Sequence, residues 1–463
     1  MRTPLPPGVL LPLDFQGREA LSQLYAFELG LVASNTQAVP FERLLGTELT
    51  LTLSPPGLQA RYFSGICSRF SEGDRSGKTT MYRAELVPAF WLLTKTRGRR
   101  IFQDKSVPDI LRNVLGGLSA DYRLQGSYEP RNYCVQYRES DFDFASRLME
   151  EEGIYYYFTH SADGHQLVLG DSPAAHQDVP GVRTLTYDPR ANPPPGSPTV
   201  DSWTKSQLLR SAKVTLGDHQ FELPQDRIEA SAAMQESVVA GQVTHQLQVP
   251  ATSNLELYDY PGGYAERFDG VGPGGDDRPG ELEKIQPDAE RTAGLRIQAE
   301  AAGALAIDGS SSAGNLTSGH RFALSGHFDA DGQYVLTEVE HDASLPDPNS
   351  GHLSYANTFR SIPASLPFRP PRTTPIPTAG GPETAVVVGP AGEETYTDRY
   401  GRIKVQFHWD REGKHDERSS CWIRVAQPVV QGPQVSPVIG DEVIVAFEEG
   451  DPDRPIVIGR HHP

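Results

Sequence analysis

Short runs of alternating apolar and polar residues, each closed by glycine or proline, set the strongest limit on how this chain can fold. LYAFELGLVAS (24–34), TELTLTLSP (47–55), RYFSGICSRF (61–70) and TMYRAELVPAF (80–90) follow this pattern within the first hundred residues. Period-two alternation sends successive side chains to opposite faces of a strand, and β-branched and aromatic residues suit that geometry. With 44 Gly and 39 Pro in 463 residues, turns come too often for a helix bundle. The expectation is a mainly β protein with a few short helices, a β-rich α+β class, whose length suits roughly three domains.

Two stretches break the strand pattern. SVPDILRNVLGG (106–117) offers Ser106 as N-cap, Pro108 and Asp109 in the first turn, and an apolar stripe of Ile110, Leu111, Val114 and Leu115. SDFDFASRLMEEEG (140–153) offers Ser140 with Asp143 in capping-box-like spacing and Gly153 as a stop. Helices are expected near 106–116 and 140–152. ANPPPGSP (191–198) reads as a stiff loop, and the region 260–281 as a glycine-rich break. LRIQAEAAGALAIDG (295–309) carries both helical and strand periods and supports neither over the other. RFALSGHFDADGQYVLTEVEHDA (321–343) reads as a hairpin turning at Asp331-Gly332.

SIPASLPFRPPRTTPIPTAGGP (361–382) holds seven prolines in 22 residues. Such a segment lacks the backbone donors of a central strand and is expected to be an extended, semi-rigid linker. After it come five apolar runs, TAVVVG (384–389), RIKVQFHW (402–409), CWIRVAQ (421–427), EVIVAF (442–447) and PIVIG (455–459). Five short strands in about 80 residues suit a small Greek-key barrel, the OB-fold, over 383–463.

In RIKVQFHW, Ile403, Val405, Phe407 and Trp409 share one face, expected to join Trp422 in the barrel core. Arg402, Lys404, Gln406 and His408 share the other, expected to meet solvent or a neighbouring chain, with acidic partners there for Arg402 and Lys404. Single-stranded nucleic-acid binding would need aromatics beside the cations, whereas here both aromatics lie with the aliphatics. Net charge is −18 over the chain, and 380–463 holds 14 Asp and Glu against 9 Lys and Arg. A phosphate-binding groove needs the opposite sign, so no nucleic-acid partner is expected.

His408, His415, His461 and His462 show no HxH or HExxH spacing, and no metal or other cofactor is expected. The acidic runs EEE (150–152), GGDDRPGE (274–281) and EEGDPDRP (448–455) do not by themselves set two carboxylates across a cleft, as glycoside hydrolysis requires. The first reads as the polar end of a capped helix, the last as a turn between strands. No GxSxG, P-loop or GxGxxG motif stands in context, so no catalytic residues are assigned and no enzyme is expected. Cys67, Cys134 and Cys421 lie far apart without a CxxC pair and are expected to be buried thiols. Asn315-Leu316-Thr317 is a formal glycosylation sequon. Prolines interrupt the N-terminal apolar stretch and no run of about 18 apolar residues exists, so neither a signal peptide nor a stable membrane anchor is expected.

Several long stretches match a known family in order along the chain. They are SGICSRF (64–70), RIFQDKSVPDIL (100–111), YCVQYRESDFDFASRLMEEEGIYYYF (133–158), YDYPGGY (258–264), YANTFRSIP (355–363), AVVVGPAGEETYTDRYGRIKVQFHWDREGK (385–414), SSCWIRVAQP (419–428) and GDPDRPIVIGR (450–460). On these the sequence resembles VgrG, the spike proteins of bacterial type VI secretion systems, and through them the baseplate hub and tail-spike proteins of contractile phages. The resemblance implies a hub over 1–360 built of two related, interleaved β-barrel domains, then the 361–382 linker and an OB-fold neck. It implies a homotrimer whose six like barrels match a hexameric Hcp tube, since three single contacts cannot match six. Effector or tip (PAAR-type) proteins and baseplate proteins are the further partners implied. The protein would be made in the cytoplasm, assembled on the apparatus and expelled to the exterior or into a target cell. Two features depart from the family pattern. Its Pro-Arg-Ile-Gly turn reads Pro437-Val438-Ile439-Gly440, after a loop VVQGPQVS (429–436) that lacks the usual Trp-Ala-Gly start. Its β-helix needle is absent from this sequence, which ends at Pro463. A phage or extracellular-particle hub is the alternative assembly; an OB-type nucleic-acid or carbohydrate module and a spike-associated peptidoglycan hydrolase are alternatives of other classes.

Overall fold

The alternation in LPLDFQGREA and AFELGLVAS is realised as antiparallel strands Leu11–Ala20 and Ala26–Ser34, with Phe15, Phe27, Leu29 and Leu31 buried on one face. The structure is a computed structural model describing residues 1–54, 59–190, 198–344, 354–426 and 437–461. The stiff loop expected at 191–198 and the departing loop 429–436 lie all but wholly outside the described residues.

These two strands belong to a twelve-stranded sheet that runs through both lobes of the hub. The first lobe contributes Leu11–Ala20, Ala26–Ser34, Thr79–Val87, Arg61–Arg75 and Glu48–Leu53. In the second lobe, strands Thr184–Tyr187, Thr199–Gln207, Leu305–Ser311, Ser354–Pro363, Gly332–Ser344 and His320–Ser325 pair in a ring, because His320–Ser325 bonds both Thr184–Tyr187 and Gly332–Ser344. The second lobe is therefore a closed barrel, while the first is a five-stranded sheet. Gly332–Ser344 serves both: it closes the barrel and pairs Asp14 with Ser344 and Ala20 with Glu338. Each lobe has its own core, one around Tyr25, Phe27 and Phe63, the other around Phe322, Tyr334 and Phe359. The expected hairpin at 321–343 forms with Leu324 opposite Gly332.

Helices Val107–Val114 and Asp141–Glu151 begin where the caps place them. Ser106 accepts from the Asp109 amide and Ser140 from the Asp143 amide. A third, Ile285–Ala302, packs on strands Lys213–Asp218 and Ile228–Ala233. The ambiguous stretch 295–309 is split: helix to Ala302, then strand from Leu305. No helix among the described residues is long and apolar enough to cross a membrane.

The proline-rich segment differs from a free linker. Strand Ser354–Pro363 runs into it, and Ile362 and Leu366 are buried in the core cluster that also holds Ile285, Ala289 and Ile297 of the third helix. Arg369 donates to Gln298 Oε1 (2.8 Å) and to the carbonyls of Gly153 (2.9 Å) and Asp171 (2.5 Å). Proline removes donors from the chain itself, so the attachments fall to the Arg369 side chain and to the non-proline residues Thr373 and Thr374. The segment is a strap lying on the hub.

The C-terminal sheet has five strands in the order Lys404–Phe407, Glu383–Val388, Glu442–Phe447, Pro455–Arg460 and Arg424–Val425. An antiparallel bridge from Ile403 to Ile423 joins the two ends. The three cysteines are buried free thiols, and burial pushes Cys67 up to about 11 and Cys421 up to about 12. In the sequon, Leu316 and Thr317 are buried, and Asn315 donates to the carbonyls of Pro180 and Val182.

Candidate functional site: the hub–neck junction

Ile403, Val405 and Phe407 are buried with Ala385, Val387, Val443, Val445 and Val457. Trp409 packs on their margin, stacked on Phe407 at 5.0 Å, and donates its indole N–H to Glu383 (2.6 Å). Hub residues Tyr133, Val135 and Tyr137 enter the same cluster from strand Arg131–Ser140. The neck core is thus completed by the hub. Trp422 is buried elsewhere, on the seam: its Nε1 donates to Gly272 O of the hub (2.9 Å) and its ring lies 4.8 Å from Tyr396.

The opposite face requires a correction. Arg402, Lys404 and Gln406 are buried within this chain, with 3%, 1% and 2% exposure, so they are not an outward or intersubunit face. The acidic partners expected on a neighbouring chain stand in this one. Arg402 donates bidentately to hub Asp269 (2.8 and 2.9 Å) and through Nε to Asp398 (2.6 Å), while Phe221 and Tyr400 cover its guanidinium. Lys404 donates to Glu417 O (2.7 Å) and lies over the Trp422 ring. Its amine is pushed down by burial. Gln406 accepts from the His415 amide and donates to Asp410, holding the 410–415 turn. Gly413 packs so close that a Cβ there would lie 2.1 Å from Gln406 Oε1. His408 alone of the four is exposed, 3.5 Å from Glu442, which also lies 3.6 Å from His461. No set of three or more His, Cys, Asp or Glu among the described residues is arranged to hold a metal ion.

A second contact grows from the run Glu150–Glu152. Three glutamates at a helix C-terminus face the negative end of its dipole and need compensation. The structure shows more than a polar helix end. Glu150 accepts from the amides of Thr373 (2.9 Å) and Thr374 (3.0 Å) and so pins the strap. Glu151 pairs with Arg131 (2.6 Å), and Glu152 with Arg131 (2.5 Å) and Arg291 (2.6 Å). Asp288 on the third helix holds Arg267 (2.9 Å) and Arg291. Burial alone would raise Glu152, but Arg131, Arg267 and Arg291 outweigh it and leave it at about 2.

The neck turn 448–455 meets this cluster. Asp453 accepts from the Val135 amide (2.6 Å), and Arg454 lies between Glu266 (3.6 Å) and Glu448 (3.5 Å). Here carboxylates exceed their counterions. Burial pushes Glu266 up to about 7 against the pull of Arg454 and Arg424. Burial and the neighbouring Asp451 push Asp453 up as well. The sequence reads 448–455 as a turn between strands and does not single out Glu266; the density of acids beside Arg454 is the one signal in it of another charged surface. The arrangement joins two modules by buried ion pairs, and no acidic run sets two free carboxylates across an open cleft in the manner of a glycosidase.

The profile of the phage tail baseplate hub (GPD) family matches residues 18–347. That of the type VI secretion system/phage-baseplate injector OB domain matches residues 380–462. The chain is 40% identical over 472 residues to type VI secretion system spike protein VgrG1a of Pseudomonas aeruginosa, covering 99% of this chain and 68% of that protein. To VgrG1c of the same organism it is 39% identical over 473 residues, covering 99% of this chain and 60% of the relative. Among solved structures, a type VI secretion component of E. coli, the c3393 protein, described as similar to the T4 bacteriophage tail proteins gp27 and gp5, superposes with a TM-score of 0.66 at 21% identity over 99% of both chains. The Francisella PdpA–VgrG complex matches with a TM-score of 0.57 at 10% identity over 98% of this chain and 74% of that one. These two likenesses concern the fold.

Proposed function

Because the chain belongs to the VgrG family of type VI secretion spike proteins, we propose that it is a force-transmitting hub that seats on a secreted tube. The observation that carries this reading is the buried junction: the neck core is completed by hub strand Arg131–Ser140, and Arg402 locks onto Asp269. A push on one module reaches the other through packed side chains and ion pairs rather than through a flexible linker. In this reading 1–360 form the hub, 361–382 the strap and 383–463 the neck.

The assembly is a homotrimer. Two lobes per chain give six, which matches a hexameric Hcp ring where three single contacts would not. Effector or tip (PAAR-type) proteins and baseplate proteins are its further partners, and the particle is expelled from the cell that makes it. Its role is mechanical and non-enzymatic, a reading supported by the acidic runs being spent on contacts within the chain: Glu151 and Glu152 pair with arginines, and Glu150 and Asp453 accept from backbone amides. The hub-family match also favours a second reading, a phage baseplate hub with the same mechanics.

Light scattering combined with sedimentation against Hcp rings tests the proposal. The expected result is a trimer that binds one hexameric ring. A monomer at tens of micromolar that ignores the rings would sink it, while a trimer binding a phage tube and not Hcp would favour the second reading.

A further inference from the structure

Phe328 is 85% exposed, more than any other large apolar side chain among the described residues. It stands on the loop between strands His320–Ser325 and Gly332–Ser344 of the second lobe. That loop is tied down. The His327 amide donates to the Asp331 carboxylate (2.8 Å), the Asp329 amide to His327 Nδ1 (3.3 Å), and the Gln242 amide to the Asp329 carbonyl (2.9 Å). The Phe328 ring stacks on His327 at 4.4 Å, and His327 in turn lies 4.6 Å from Tyr187. A lone exposed apolar side chain is ordinary on a protein surface. One backed by a stacked ring is already ordered, so burying it against a partner costs little rotamer entropy.

The first lobe carries a pocket of about 180 Å³ walled by Ile66, Phe90, Leu118, Phe158 and Leu167. Cavities of about 150 Å³ with linings of this kind take up a benzene ring. The polar groups in its wall are engaged: His165 Nδ1 lies 2.8 Å from Glu48, and its Nε2 accepts from the Ala89 amide (2.8 Å). Asp329, beside Phe328, pairs with Lys205 (3.4 Å), so it brings no unpaired carboxylate to Glu48. Exposed Gly117 and Ser119 mark the opening. Glu48 begins strand Glu48–Leu53, which ends the twelve-stranded sheet on the side away from the second lobe. Knob and pocket thus belong to different lobes, and within one chain they do not meet.

We propose that Phe328 of one copy enters the first-lobe pocket of the next copy and so closes the hub trimer. This contact rests on the trimeric reading above and supplies the surface that would build it. Two different patches on one chain make a head-to-tail contact, which runs in one direction and can close as a ring. It sets second lobe against first lobe all round that ring, the alternation that six like lobes from three chains require. A rigid aromatic seated in a pocket is the kind of anchor that carries much of an interface's affinity.

Light scattering over a dilution series of the full chain tests this, with Phe328→Ser to remove the knob and Ser119→Trp to plug the pocket. The expected result is a parent trimer, and a rise of at least tenfold in the concentration at which each variant dissociates. A disulfide trap gives a second readout. Phe328→Cys and Ser119→Cys in one chain should yield covalent trimers on mild oxidation, which neither change alone can make; the three native thiols are buried and keep the background low. A parent trimer unaltered by both variants and untrapped by the cysteine pair would overturn the contact and leave the trimer standing. Loss of Hcp-ring binding by Phe328→Ser with the trimer intact would assign the knob to the tube and overturn the contact too. A parent that stays monomeric at tens of micromolar would overturn the trimeric reading, and this contact with it.

Discussion

The neck meets the hub through two charged contacts of opposite design. At Arg402 one guanidinium is matched to two carboxylates, Asp269 and Asp398, and its flat faces are covered by aromatic rings. At the 448–455 turn, Arg454 stands among Glu266, Glu448, Asp451 and Asp453, and burial pushes Glu266, Asp451 and Asp453 up. The first contact is closed, each charge meeting its opposite. The second stores uncompensated charge and depends on protons. Buried ionic contacts fix register when each charge is answered; where one side is in excess, they make the join conditional.

The largest effect should come from breaking the matched contact. Arg402→Ala leaves Asp269 and Asp398 buried without their cation and is expected to cost about 3–5 kcal/mol. Chemical denaturation measures it, and proteolysis should show the neck released first. A loss below 1 kcal/mol would mean the two contacts are alike.

The second prediction concerns pH. Glu266 has a folded value raised from 4.5 to about 7, so the fold binds its proton more tightly than the unfolded chain does. Its cost is absent below pH 4.5, grows as pH rises, and is complete above about 7. At about 1.4 kcal/mol per pKa unit it reaches at most about 3 kcal/mol. Glu266→Gln should therefore gain stability relative to the parent as pH rises across that window. Buried His160, His176, His320 and His341, all lowered by burial, act in the other direction, losing stability as pH falls below 6.5. They are common to parent and variant and cancel in the comparison. Parallel melting curves for the two proteins from pH 4.5 to 8 would refute the assignment.

Trp422→Phe removes one seam hydrogen bond while keeping an aromatic ring, though a smaller one, and should cost at least about 1 kcal/mol, read in the same denaturation assay. His408→Ala, on the exposed end of the neck strand, should change stability by less than about 0.5 kcal/mol. If its loss instead lowers the mass seen by light scattering, that exposed end contacts another chain.

How much of this could be read beforehand depends on whether the cause was local. Helices Val107–Val114 and Asp141–Glu151 were legible because Ser106 and Ser140 cap them within three residues. The inner face of the neck strand was legible from alternation alone. Helix Ile285–Ala302 was not: its alanine-rich sequence has no strong stripe, and its end falls inside the stretch that mixes both periods. The other face of Lys404–Phe407 was misread because alternation tells which residues share a side, not what covers it. Asp269 and Trp422 come from distant segments, and only tertiary packing brings them there. The strap was hidden for a related reason: proline content argued against a central strand but said nothing of Glu150 and the helix it belongs to.

The strand Gly332–Ser344, shared by both lobes, also sets an order of events during synthesis. Leu11–Ala20 leaves the ribosome early, yet the partner that completes its second edge follows roughly 300 residues later. At translation rates of about 5–20 residues per second, that edge waits on the order of 15–60 s. An unpaired strand edge is a template for wrong partners, including the same strand of a sister chain. The first lobe can collapse on its own core but cannot be sealed until the second is nearly made. Biogenesis of this hub therefore hinges on protecting one early strand, and that interval is where a chaperone or slow translation would have the most to contribute.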